Sequence, residues 1–271
     1  MNSLWLSNNK LINNNFIKEI DTSNTTLLET DVCIVGAGIF GLTCAYYLSN
    51  LGYRVTVLEK DKIGTNKTVK NALYLLESGE ANSDDYDSYM ELTNSNGQLV
   101  FEELHVEANE QAIKNIKNII DKEKIKCDFE YKNSYVYTTK KEDLKFIKKE
   151  QKAIENLGFN CEYVTKTGLP FEIEGAICFK NQAQFHPLKY LNGLCHCITK
   201  NNNEIYTNST VFDVQKENDF YITFSNNFNV KSKYVIVATH YPFINFPGFY
   251  FAKMYQSTSY LIAVDTKKNI I

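Results

Sequence analysis

The chain is predicted to fold as an α/β protein, and three observations carry that expectation. A short apolar run, Asp31–Val35, ends in a Gly-x-Gly-x-x-Gly turn at 36–41 and is followed by a segment with helical spacing. A second apolar run, Tyr53–Glu59, comes directly after, so that strand, helix and strand fit in about thirty residues, the economy of a βαβ unit. Beyond residue 127 short β-branched and aromatic runs alternate with two more helical patterns.

Composition narrows the class. In 271 residues, 44% hydrophobic and 13% aromatic supply ample material for a core, and the net charge of −3 is small, which excludes intrinsic disorder. Acids outnumber bases by 32 to 29, with no Lys/Arg block, which argues against nucleic acid as a partner. The first twenty residues lack the apolar core of a secretory signal, and the longest apolar runs (Val32–Val35 and Val235–Ala238) are too short to span a bilayer. Seven cysteines are scattered, and Cys195 and Cys197 enclose one residue rather than two, so the spacing favours reduced structural thiols over a metal site. The expectation is a cytoplasmic protein with no membrane span and no metal.

The elements follow in order. Residues 1–28, rich in Asn, Ser and Thr, read as a surface leader. Asp31–Val35 reads as a strand buried on both faces. In the helix 39–51, Leu42, Ala45, Tyr46, Leu48 and Ser49 share related faces, and Gly52 provides the stop. Tyr53–Glu59 is the second strand. Residues 64–97 are polar and acidic and read as loop, with a short helix near Val69–Glu77. From Val100 to Lys124, Leu104, Ala108, Ala112, Ile113, Ile116, Ile119 and Ile120 step by threes and fours, a helix. Strands are expected at Cys127–Val136, Asn160–Val164, Gly175–Phe179 and Gln184–His186, with a helix over Glu142–Leu157 stopped by Gly158. Pro187 opens another helix, since proline fits a first helical position. Strands then recur at Glu204–Val214 in two pieces, Phe220–Phe224, Lys231–Ala238 and Tyr255–Val264.

The turn Gly36–Ala37–Gly38–Ile39–Phe40–Gly41 is the most informative feature. Between a buried strand and a helix, Gly36 permits the tight turn, Gly38 lets backbone approach a diphosphate, and Gly41 allows close helix–strand packing. The helix N-terminus then offers unpaired N–H groups and a positive dipole end to the phosphates. Glu59, near the offset at which an acid takes adenosine ribose hydroxyls, points to the same ligand class. The alternative is that these glycines close a structural turn and nothing more. Spacing alone does not separate FAD from NAD.

Asp31–Lys60 (DVCIVGAGIFGLTCAYYLSNLGYRVTVLEK) resembles the N-terminal fingerprint of the FAD-dependent D-amino-acid-oxidase-like superfamily, which includes glycine oxidase, sarcosine oxidase and related amine oxidoreductases. Ser209–Thr210–Val211 resembles the strand that holds the adenine through its backbone. Tyr234–Thr239 resembles the apolar strand, ending in Ala-Thr-Gly, that closes the FAD-binding sheet; here His240 stands where that glycine usually is. Ala238–Phe243, with Lys253–Tyr255 and Ser259–Tyr260, is more similar to a branch whose flavin domain is often followed by a Rieske domain, although no second Cys/His pair follows Cys195–His196–Cys197. Gln184–Pro187 resembles the segment that leads back to the FAD domain, which would put His186 near the domain junction rather than at a metal.

The resemblance implies a Rossmann-like FAD-binding domain (29–126 and 185–245) with an inserted antiparallel-sheet, α+β substrate domain (127–184 and 246–271, incomplete). Gly36, Ala37, Gly38, Ile39, Phe40, Gly41, Glu59, Lys60, Thr65, Val211, Ala238 and Thr239 are the implied cofactor residues. The implied activity is oxidation of an amine or amino acid by hydride transfer to flavin N5. No catalytic residue is assigned: Tyr250, Tyr255 and Tyr260 are the candidates at the implied substrate face, and each reads more readily as structural.

Two departures keep an alternative open. Gly64–Thr68 begins like the family loop that contacts the pyrophosphate, but Val69–Gln98 differs and carries Glu77, Glu80, Asp84, Asp85, Asp87 and Glu91, which would repel phosphate if they lay beside it. The family chain also normally continues past a strand such as Tyr255–Val264 to complete its substrate sheet. The alternative is a truncated, non-catalytic or partner-dependent FAD-binding module, completed by another chain or by oligomerisation.

Overall fold

A computed structural model describes residues 27–63, 100–156, 159–241, 243–246 and 248–253, with side chains from residue 108 onward in the second of these stretches. The leader up to residue 26, the helix read at Val69–Glu77 and the strand read at Tyr255–Val264 lie outside the described residues. The described residues form two compact units, one built from 27–63, 125–127 and 186–253, the other from 100–124 and 128–185. The helix read before Cys127 thus falls with the second unit.

In the first unit, β1 (Leu27–Val35), α1 (Ile39–Asn50) and β2 (Val55–Leu58) form the expected βαβ motif, with β1 and β2 parallel and Val35 opposite Leu58. β1 starts before Asp31 because Leu27 and Leu28 pair with Asn229 and Val230, although the alternating exposure of Leu27 to Glu29 gives no apolar run to mark it. β2 is shorter than its sequence pattern because Arg54 is diverted from it. The Arg54 N–H donates to Asp31 Oδ2 at 2.8 Å, and its carbonyl accepts from Asp31, Val32 and the Thr30 hydroxyl.

α1 ends as the sequence indicates. The Gly52 N–H bonds the Ser49 carbonyl and the Tyr53 N–H bonds that of Leu48, a Schellman closure that holds Gly52 at φ +89°. A Cβ at Gly52 would meet nothing within 4 Å. Gly52→Ala is therefore expected to lower stability by about 1 kcal/mol through backbone strain alone, measurable by urea unfolding.

The chain returns to this unit with α4 (Pro187–Lys200), after α2 (Val100–Glu123) and α3 (Leu144–Asn156) of the second unit. His186 is the N-cap of α4, its Nδ1 3.5 Å from the Lys189 N–H, and Pro187 takes the first turn. β6 (Glu204–Tyr206), β7 (Val211–Glu217), β8 (Phe220–Ser225) and β9 (Asn229–Val237) follow. The six-stranded sheet has the order β6-β2-β1-β9-β8-β7, parallel from β6 to β9 and antiparallel through the β9-β8-β7 meander.

Period-2 alternation buries both faces of this sheet. Cys33, Val35, Leu58, Tyr206, Val211, Phe228 and Val230 make one cluster, with Tyr206 and Phe228 edge to face at 4.8 Å. The alternate residues Val32, Ile34, Val55, Val57 and Ile205 are also buried, on the opposite face, where α1 and α4 bring Leu42, Ala45, Tyr190, Leu191, Leu194 and Ile198. Asn203 joins the elements below: its Oδ1 accepts from Val55 at 2.6 Å and its Nδ2 donates to Ser49 Oγ at 2.7 Å. Cysteines 33, 44, 127, 161, 178, 195 and 197 are free thiols, and burial pushes those of Cys33 and Cys195 up to about 12, leaving them protonated and unreactive.

The second unit centres on an antiparallel sheet, β3 (Glu130–Thr138), β5 (Gly175–Gln184) and β4 (Glu162–Val164), in the order β3-β5-β4, with α3 packed on it through buried Ile147. The two strands read at 175–179 and 184–186 are one. Asn181 takes φ +60°, and a register shift between Lys132 and Ser134 absorbs the irregularity, so β5 continues to Gln184. His186 falls beyond the strand, in the cap of α4. In α2, Ile113, Ile119 and Ile120 are buried.

Candidate functional site

The site lies at the C-terminal ends of β2, β1 and β9. β1 is the central strand there. The chain leaves it for β2 on one side and comes back much later as β9 on the other, so the strand order switches beside it. In open parallel sheets that is where a ligand crevice forms.

Gly36 makes the turn out of β1. Its φ is +108°, its N–H bonds the Leu58 carbonyl at 2.8 Å, and a Cβ on it would lie 2.5 Å from the Ala238 carbonyl oxygen. The end of β9 therefore closes directly against the turn, with the Ala238 N–H bonded to the Val35 carbonyl at 2.8 Å. Gly41 meets a tighter limit, since a Cβ there would come within 2.0 Å of the Gly36 carbonyl oxygen. These two glycines bring backbone against backbone where no side chain fits.

Gly38 is the N-cap of α1 in an extended conformation, with no side-chain cap and no acid in the first helical turn. The first helical hydrogen bond runs from Leu42 to the Gly38 carbonyl, and no acceptor among the described residues takes the N–H groups of Ile39, Phe40 or Gly41. An array of free N–H donors at a positive dipole end, without a competing carboxylate, suits an anion. Phe40 is 64% exposed on the first turn.

Glu59 follows β2 and is 3% exposed. Its Oε2 accepts from the Ala37 N–H at 2.8 Å and its Oε1 from the Asp61 N–H at 3.2 Å, while the Glu59 N–H and carbonyl tie to Tyr206 and Ser209. Burial pushes this carboxyl above its ordinary value, against the opposing pull of the Ala37 and Asp61 N–H groups. Each oxygen keeps a further lone pair, so the carboxylate has capacity for two more donors.

Residues 31–270 match the family model DAO, described as FAD dependent oxidoreductase. The chain belongs to this family. It is 30% identical over 239 residues to YhfW of Bacillus subtilis (strain 168), whose name describes a Rieske 2Fe-2S iron-sulfur protein, covering 88% of this chain and 46% of YhfW. It is 27% identical over 226 residues to gamma-glutamylputrescine oxidoreductase of Escherichia coli (strain K12), covering 80% of this chain and 50% of that one. The chain thus spans about half the length of the curated relatives it matches. In fold it is similar to glycine oxidase from Geobacillus kaustophilus, with a TM-score of 0.63 at 15% identity, covering 78% of this chain and 55% of that one.

The DAO family's cofactor is FAD, and the residues present fit a dinucleotide. The glycine turn has no room for side chains beside its open N–H groups, and Glu59 supplies the matching acceptor. Gly36, Ala37, Gly38, Ile39, Phe40, Gly41, Glu59, Ala238 and Thr239 come together at the C-terminal ends of β1, β2 and β9. Lys60, next to Glu59, keeps its side chain 65% exposed and lies 3.9 Å from Asp61. Val211 is at the start of β7, in the core cluster with Leu58 and Tyr206. Thr65, Tyr255 and Tyr260 lie outside the described residues. Tyr250 is 45% exposed in a short 3-10 turn at 250–252.

Two site features escaped the sequence reading. One is the bond that the Ala37 N–H donates to the Glu59 carboxylate, for which the spacing of the two residues gives no warning. The other is the conformation of His240, at φ +62°, for which its stand-in for a glycine was the available signal. Among the described residues no group of three His, Cys, Asp or Glu side chains is placed to hold a metal ion, and no helix is long and apolar enough to cross a membrane.

Proposed function

We propose that the first unit binds FAD across the C-terminal ends of β2, β1 and β9, and that the protein oxidises a small amine or amino acid. The observation that carries this reading is the glycine turn at the N-terminus of α1, with the buried Glu59 carboxylate bonded to it through Ala37. In this reading the N–H groups of Ile39, Phe40 and Gly41 hold the diphosphate, with Gly38 leaving room for its approach. Glu59 accepts the adenosine ribose hydroxyls, the backbone near Val211 lies along the adenine, and Ala238 and Thr239 wall the crevice. Lys60, beside Glu59, adds a polar group, and Thr65 is the further contact that the family resemblance implies. The second unit, with the β3-β5-β4 sheet, is the substrate domain of this reading.

Bound FAD supplies the hydride acceptor, so an amine carbon is oxidised to an imine that water hydrolyses. The names of the Escherichia coli relative and of glycine oxidase support the amine and amino-acid class. The protein's own part is to hold the nucleotide rigidly and to keep negative charge away from its phosphates.

The test is the visible spectrum of the purified 271-residue chain, before and after incubation with FAD. Equimolar flavin absorbance that bleaches without oxygen on addition of amines or amino acids supports the full reading. Flavin that is retained but bleached by no member of such a panel supports the alternative, an FAD-binding module that works with a partner chain. A folded protein that takes up no FAD sinks both.

A further inference from the structure

We infer that His240 contacts the nucleotide in the FAD site, its imidazole donating a hydrogen bond to an oxygen of the bound dinucleotide. This rests on the FAD reading above and adds to it a side chain from the turn that follows β9.

The argument begins with the backbone. His240 has φ +62°, in the region that favours glycine. The Tyr241 N–H bonds the Thr239 carbonyl at 2.6 Å across it, so the residue is the centre of a γ-turn with positive φ, a rare and strained conformation. A second bond, from the Thr239 hydroxyl to the Tyr241 carbonyl at 3.0 Å, clamps the same turn, and the Ala238 N–H anchors its leading end to Val35. The strain is therefore imposed by the surrounding chain. A glycine would meet the same demand freely, and the sequence places a histidine there.

The position gives that histidine something to do. Ala238 lies against Gly36, and a Cβ built on Gly36 would be 3.5 Å from the Thr239 nitrogen, so the γ-turn stands directly at the phosphate turn. His240 is exposed, and no hydrogen bond or ion pair among the described residues engages its imidazole. Either protonation state of an imidazole keeps an N–H donor. Strain held in place by a rigid frame, with an exposed and unengaged polar side chain two residues past the contact with the glycine turn, is the pattern of a residue kept for its side chain.

The experiment compares wild type, His240→Gly and His240→Ala as full chains, with two readouts: the thermal midpoint without FAD, and the dissociation constant for FAD from quenching of flavin fluorescence. His240→Gly is expected to raise the FAD-free midpoint by about 2–4 °C by relieving the turn, and yet to weaken FAD binding about tenfold. His240→Ala, which keeps the strain and loses the imidazole, should weaken binding similarly without the gain in midpoint. If His240→Gly raises the midpoint and binds FAD as tightly as wild type, the inference is overturned while the FAD reading stands. If wild type itself binds no FAD, both fall together.

Discussion

Gly41→Ala is expected to destabilise the protein by about 3 kcal/mol or more and to abolish FAD retention. The added Cβ would lie 2.0 Å from the Gly36 carbonyl oxygen, 3.2 Å from its carbon and 3.3 Å from the Ala238 Cβ. Two of those atoms belong to the backbone of the turn, which has no side-chain end to swing away. Relief requires α1 to move off β1. That movement opens the packing of Leu42, Ala45 and Tyr46 against the sheet and displaces the N–H groups of Ile39 and Phe40 from the crevice. Gly52→Ala is the matched control, because it adds the same methyl in the same βαβ unit with nothing within 4 Å. Urea unfolding of the two variants, together with their flavin content after purification, separates close approach from general loss of glycine flexibility. Equal, modest losses in both would show that the contact between α1 and the turn is not what Gly41 serves.

Much of this arrangement was legible before the structure. A tight turn between apolar strand and helix has few physical solutions, so Gly36, Gly41 and the stop at Gly52 announced their places through residue type alone. Pro187 likewise declared a helix start, whereas His186, read as the end of a strand, caps that helix instead. What stayed hidden depended on partners far along the chain. Leu27 and Leu28 join β1 only because β9 offers Asn229 and Val230, and local alternation cannot foresee a ladder with a strand two hundred residues away. Residues 180–183 separate two strands when read locally, but the pairing of β5 with β3 on both sides of Asn181 carries the strand through as a bulge. The site shows the same division. Glu59 was identifiable by its offset from the turn, whereas its bonds to Ala37 and Asp61 and its burial arise from folding β2 against β6 and the loop before β7.

That burial gives Glu59 an expected signature of its own. Its carboxyl in the folded protein lies above the ordinary value of 4.5, with burial the larger cause and the Ala37 and Asp61 N–H groups opposing it. A raised value means that the folded chain binds this proton more tightly than the unfolded chain does. The contribution to stability is then complete below 4.5 and is lost as the pH rises through the raised native value. Ribose hydroxyls donated to the carboxylate work in the opposite direction, since they favour the ionised form. FAD should therefore bind most tightly above that native value and weaken as the pH falls through it. Glu59→Gln removes the titration and gives the site one acceptor oxygen and one NH2 group in place of two acceptors. Turned either way, the amide sets a donor against the N–H of Ala37 or of Asp61. Loss of a charge-assisted pair of this kind is worth about 10- to 100-fold in the FAD dissociation constant, and the variant's residual binding should no longer follow pH across the acid range. Fluorescence titrations of wild type and variant from acid to neutral pH measure both effects. Binding by Glu59→Gln that equals wild type at neutral pH would remove this carboxylate from the nucleotide site and leave it a buried brace between β2 and the glycine turn.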